Sequence, residues 1–118
     1  MVPNGKRYAK QWEDDWNSHD LNKILSHYRD DIVFRSKKAI NLVGFGEIQG
    51  KEQLREYWEA ALKTQPELTF YVQDVFEGHE MLVISYLNHS NILATETLYF
   101  DDNGLVYRAA ACHRYNDV

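Results

Sequence analysis

Apolar residues recur with two different periods along this chain. In the first half, Tyr8, Trp12 and Trp16 fall at i, i+4 and i+8, which lays one apolar stripe along a helix of about three turns. Asn17-Ser18-His19 interrupts the stripe. Asp20 can accept from the exposed N–H groups of a second helix, in which Leu21, Ile24, Leu25 and Tyr28 follow i, i+3, i+4 and i+7. Asp30-Asp31 turns the chain into a short strand, Ile32 to Arg35. Lys37 to Gln49, with Gly44 and Gly46 around Phe45, keeps neither period and reads as an irregular flap. Gly50 precedes a third helix carrying Leu54, Tyr57, Trp58, Ala61 and Leu62, and Pro66 marks its end.

Beyond Pro66 the pattern alternates. Leu68 to Phe76, Glu80 to Asn88, Ile92 to Phe100 and Leu105 to Tyr115 read as strands. The gaps between them carry turn chemistry: Glu77-Gly78-His79, His89-Ser90-Asn91 and Asp101-Asp102-Asn103-Gly104. Consecutive strands joined by such turns pair as an antiparallel meander, and one face of that sheet needs a cover. The three helices supply it. The expected fold is therefore α+β, one domain over residues 1–118, with three N-terminal helices packed on a curved, mainly antiparallel sheet.

Composition narrows the function classes. With 44% hydrophobic and 26% charged residues the chain is globular rather than disordered. Thirteen basic against eighteen acidic residues give a net charge of −5, and no basic cluster exceeds Lys37-Lys38, so neither nucleic acid nor an anionic membrane is an expected partner. A lone cysteine, Cys112, permits no internal disulfide, and Met1 to Lys6 lacks the apolar run of a leader; both point to the cytoplasm. No histidine pair has metal-ligand spacing, and there is no phosphate loop or nucleophile elbow. No metal or cofactor is expected. Aromatic residues reach 14%, enough to line an apolar cavity with hydroxyl handles.

This order of elements resembles the nuclear transport factor 2-like (NTF2-like) superfamily, and within it the SnoaL-like and ketosteroid-isomerase-like branch. The resemblance is carried by Trp16-Asn17-Ser18-His19-Asp20-Leu21 running into Tyr28 to Phe34, by Gly50 to Trp58, and by the C-terminal meander. It covers nearly the whole chain. It implies a cone-shaped fold whose sheet curls around a pocket closed by helices, and a homodimer through the outer sheet face. Leu93, Thr95, Thr97, Tyr99, Arg108, Ala110, Cys112 and Arg114 would form that face.

The resemblance also assigns roles. Ketosteroid isomerases place a carboxylate base at the end of the first strand, a tyrosine on the first helix and a protonated acid on a meander strand. These positions fall here on Ser36, Trp12 and Glu96. Serine cannot take a carbon-bound proton unaided, and indole only donates, so isomerisation of ketosteroids by that route is not expected. If Glu96 faces the pocket, alternation sends Ala94, Leu98 and Phe100 with it. The same alignment turns Ala109, Ala111, His113 and Tyr115 inward. Glu96 and His113 would then share one apolar cavity and hold a proton between them near neutral pH. Trp12, Tyr28, Trp58, Tyr86, Leu98 and Ala111 are the expected ligand-contacting residues, and Glu96 and His113 the catalytic ones. Two functions fit: an isomerase, cyclase or dehydratase acting by proton transfer on a small apolar, oxygen-bearing molecule, or a non-catalytic ligand-binding or assembly module. Asp20 reads as a helix cap; His19, His27 and His79 read as solvated.

Overall fold

The first tryptophan stripe forms helix α1 (Gly5–Ser18), capped by the Asn4 side chain, which accepts from the Arg7 N–H at 3.0 Å. Its buried face holds Tyr8, Trp12 and Trp16. A computed structural model describes residues 4–115 of the chain, with four helices and six strands among them; part of the leader reading, Met1 to Pro3, lies outside the described residues. Helix α2 (Leu21–Leu25) starts where expected, with the Asp20 carboxylate accepting from the Asn22 and Lys23 N–H groups. It stops after five residues because the next segment is captured by the sheet. His27 accepts at its carbonyl from the Val106 N–H at 2.9 Å, and Tyr28 opens strand β1 (Tyr28–Ser36). Tyr28 is therefore a strand residue, although its i+7 spacing suits a helix. Pairing with a distant strand outweighs a local preference that amounts to a few tenths of a kcal/mol, roughly, per residue.

The flap is more regular than its sequence suggests. Lys37 to Gln49 contains helix α3 (Ala39–Val43), ended by Gly44 at φ 93°, and strand β2 (Glu47–Gln49). Strand β2 pairs antiparallel with β1, setting Ile48 opposite Phe34. Ala39 and Ile48 are fully buried and fasten both pieces to the core. Helix α4 (Lys51–Thr64) follows Gly50, whose φ of 89° suits only glycine and whose N–H donates to the Ile32 carbonyl.

Strands β3 (Phe70–Gly78), β4 (Met81–Asn88), β5 (Leu93–Phe100) and β6 (Val106–His113) form the meander. The full sheet runs β2-β1-β6-β5-β4-β3, antiparallel except for β1 beside β6. Burial alternates without a break along β4 and β5, the signature of a sheet with one covered face. Helix α1 lies over β3 and α4 over β1 and β2, so the curved sheet and its helices enclose the core between them. The last strand ends sooner than expected: Tyr115 is 71% exposed rather than inward. No helix among the described residues is long and apolar enough to cross a membrane.

Candidate functional site: a cavity over Glu96 and His113

Glu96 sits in mid-strand on β5, opposite Ile84 of β4 and Ala111 of β6. It is 3% exposed. The indole N–H of Trp12 donates to its Oε2 at 3.1 Å, and the phenol of Tyr28 donates to the same oxygen at 3.3 Å. Its other oxygen, Oε1, has no hydrogen-bond partner among the described residues, and Glu96 itself lines a cavity. Oε2 already accepts twice, so a proton on this carboxyl rides on Oε1. Burial raises the Glu96 pKa to about 7, and the two donors pull against that rise by favouring the anion. Burial and the nearby Glu96 charge hold Tyr28 far above the ordinary phenol value, so it stays a donor.

His113 lies on the same face. It faces Ala94, and Ala94 and Glu96 are two residues apart on β5. The two expected partners are therefore diagonal neighbours over one cavity, but no hydrogen bond joins them among the described residues. Glu96 bonds to the helix side instead. His113 is half-buried, and burial followed by the charge of Lys38 depresses its pKa to about 4. At neutral pH its ring is uncharged.

The cavity between these groups has a volume of about 60 Å³. That is about twice a water's share of liquid volume, roughly 30 Å³, and well short of a drug-sized pocket of roughly 300 Å³ or more. Trp16, Trp58, Phe34, Phe70, Tyr57 and Tyr86 wall it, while Ala61, Ala94 and Ala111 leave the space open. Trp16 and Trp58 pack edge to face, with centroids 4.9 Å apart at 76°, and Phe70 and Tyr86 meet at a tilt of 50°. Lys38, Gln65 and Asn88 add polar groups. Asn88 is committed to the turn after β4, its Oδ1 accepting from the Ser90 and Ile92 N–H groups.

Of the expected residues, Trp58, Tyr86, Glu96, Ala111 and His113 line this cavity. Trp12 and Tyr28 do not; they stand behind Glu96 and hold its Oε2. Leu98 is wholly buried in the core, two residues further along β5. Ser36 points its hydroxyl at Tyr57, 2.9 Å away, in a buried pair. His27 is not free in solvent, since its Nε2 lies 2.7 Å from the buried Asp15 carboxylate; His19 Nε2 meets the Leu68 carbonyl at 2.7 Å. The sequence reading missed Lys38, hidden in the segment read as irregular. It also missed Trp16 and Tyr57, which share the stripes of Trp12 and Trp58 and were findable from them.

Comparison with known proteins bears on the family and the fold. The SnoaL-like domain family matches residues 9–117. A SnoaL-like protein of unknown function from Burkholderia thailandensis is 33% identical, covers 94% of this chain and 95% of its own, and superimposes with a TM-score of 0.88. A putative polyketide cyclase from Sinorhizobium meliloti is 14% identical over 90% of this chain and 94% of its own, with a TM-score of 0.74. TerC, solved with polyporic acid, is 11% identical over 92% and 90%, with a TM-score of 0.76. The last two share the fold. No curated protein matches the chain.

Proposed function

The chain belongs to the SnoaL-like domain family, and on that premise we propose that it moves a proton on a small oxygen-bearing molecule held in the Glu96 cavity. The reading rests on one observation: a buried carboxyl whose pKa is raised to about 7, with Oε2 held by two donors and Oε1 without a hydrogen-bond partner among the described residues. A group titrating there can give or take a proton at neutral pH with little penalty. Glu96 is the acid or base. Trp12 and Tyr28 carry the charge left on Oε2 when the proton departs, a preorganised stabilisation that requires no rearrangement. His113, uncharged at neutral pH, offers a hydrogen bond to the ligand. The aromatic wall excludes water. Isomerisation, cyclisation and dehydration all use such a transfer. The putative polyketide cyclase among the structural neighbours is compatible with this class of chemistry.

The test is hydrogen–deuterium exchange at carbon, followed by proton NMR in D2O, on short enolisable ketones and keto acids. The wild-type protein is expected to accelerate exchange on at least one of them, and Glu96→Gln to slow it by about a hundredfold or more. Exchange no faster than in buffer across the panel, or exchange indifferent to Glu96→Gln, rejects the reading. One observation favours a non-catalytic ligand-binding module instead: the Ser36 hydroxyl is paired with Tyr57, so the position that bears a base in ketosteroid isomerases provides none. Under that reading Glu96→Gln leaves affinity within a few fold and there is no exchange to lose.

The proposal includes a homodimer through the outer sheet face. Thr95, Thr97 and Tyr99 of β5 and Ala110 of β6 are half-buried there, with Arg108, Cys112 and Arg114 exposed beside them. Such a mixture of apolar, hydroxyl and arginine groups suits an interface. Sedimentation at micromolar concentration is expected to give a dimer; a monomer throughout counts against it.

A further inference from the structure

The cavity is lined by a lysine as well as by Glu96. Lys38, just before α3, lines it, is half-buried, and has neither ion pair nor hydrogen bond from its ammonium group among the described residues. Other basic side chains of this protein form ion pairs: Arg35 with Glu47, Arg29 with Asp31, and Lys51, itself only 30% exposed, with Asp30. Lys38 differs from these in having no such partner among the described residues, in a chain with five more acidic than basic residues. Burial disfavours its charge, and its charge in turn disfavours a second one on His113. A half-buried ammonium left alone is an unfavourable arrangement that one anion corrects. The neutral His113 ring, which has no hydrogen bond to a described residue, stands ready to donate to the same anion.

The size and polarity of the cavity restrict what that anion can be. About 60 Å³ admits a short chain only. Its walls are aromatic, so the chain between the polar ends is apolar. Trp16, one of the lining residues, also carries a buried Nε1–H with no acceptor among the described residues. A phosphate or sulfate, wholly polar, would leave that aromatic wall unused and bring two charges against a single cation.

We propose that the ligand is a short-chain carboxylic acid, its carboxylate on Lys38 and His113 and its far end, bearing the oxygen or double bond that reacts, against Oε1 of Glu96. This rests on the proton-transfer reading above and names its substrate class. Lys38 is then a binding residue that fixes which end of the molecule meets Glu96.

The probes are crotonate and its neutral analogue crotonamide, titrated into the full chain near pH 6, where Glu96 keeps its proton and the acid is ionised. Binding is read by calorimetry and by the indole N–H resonance of Trp16. Saturable crotonate binding is expected, with crotonamide at least tenfold weaker. Lys38→Met should weaken crotonate tenfold or more and leave crotonamide unmoved, while Lys38→Arg, which keeps the charge, stays within a few fold of wild type. Circular dichroism establishes that each variant is folded. Equal affinities for acid and amide, no saturable crotonate binding, or a Lys38→Met variant that binds crotonate normally would each overturn the carboxylate site. The proton-transfer reading fails separately, by exchange that ignores Glu96. Glu96-dependent exchange on neutral ketones with no preference for acids would leave that reading standing and remove this one.

Discussion

Glu96 is held by forces of opposite sign, and the balance can be measured through stability. Its pKa rises from an ordinary 4.5 to about 7 in the folded protein, so between those values the folded chain keeps a proton that the unfolded chain has lost. Its contribution is therefore complete below about pH 4.5 and is lost as pH climbs through 7, a fall on the order of 3 kcal/mol. His113 acts the other way. Its pKa drops from 6.5 to about 4, so the unfolded chain binds a proton first and stability is lost as pH falls from 6.5 towards 4. The half-exposed ring makes this the smaller effect. The two windows overlap, and the wild-type stability curve should slope only gently across them. Glu96→Gln should leave stability rising with pH, and His113→Gln should leave it falling more steeply than wild type. Urea denaturation across this range checks both signs. The donors on Oε2 give a second prediction. Trp12→Phe or Tyr28→Phe removes one hydrogen bond that favours the anion, and each should raise the Glu96 pKa by about one to two units. Carboxyl carbon NMR reads the shift directly, and a lower value would contradict the assignment of those donors.

At the level of elements, the alternating strands were the most legible part of the sequence. Their burial follows the residues one by one along β4 and β5, because a sheet covered on one face sorts its side chains with period two. That alternation also placed Glu96 and Ala111 correctly on the cavity face. The cap at Asp20 was legible for a similarly local reason, and Asp20→Ala should cost about 1 kcal/mol in a denaturant melt. The misplacements share a cause, which is that contacts between distant segments decided the outcome. Tyr28 has helical spacing but joins β6. The segment from Lys37 to Gln49 has no long pattern because its helix and strand span five and three residues, too few to show a period; Lys38 went unnoticed with it. Trp12 and Tyr28 were expected to touch ligand because their stripes face the core, yet a stripe does not say whether a ring meets the cavity or the carboxylate behind it. Strand β6 supplies the clearest test of the cavity itself. Ala111 faces Glu96 across the strands and is half-buried. Ala111→Leu should fill the space and abolish ligand binding while the melting transition stays cooperative; ligand binding that survives it would place the site elsewhere.

Across the whole molecule, the sheet is assembled in an order unlike that of the sequence. Strand β1 lies next to β6, so Tyr28 pairs with Val106 and Ser36 with Ala111, while β2 to β5 fall to either side of that seam. The cavity draws on both sides of it: Phe34 from β1, Glu96 from β5, His113 from β6 and Trp16 from α1. This seam carries a consequence for the birth of the protein on the ribosome. The meander hairpins can form as they emerge, but the partner that β1 needs is the last of the six described strands to be made. Until β6 leaves the exit tunnel, β1 presents an unpaired edge and Glu96 has β4 beside it but not β6, so the nascent chain is open to mispairing and to chaperones over that interval. Pairings this distant also slow refolding towards the millisecond-to-second range. A chain stopped after Asp101 should show no cooperative unfolding by circular dichroism, and adding back residues 102–118 as a peptide should restore the transition. If the shortened chain melted cooperatively by itself, the seam would not be what completes the fold.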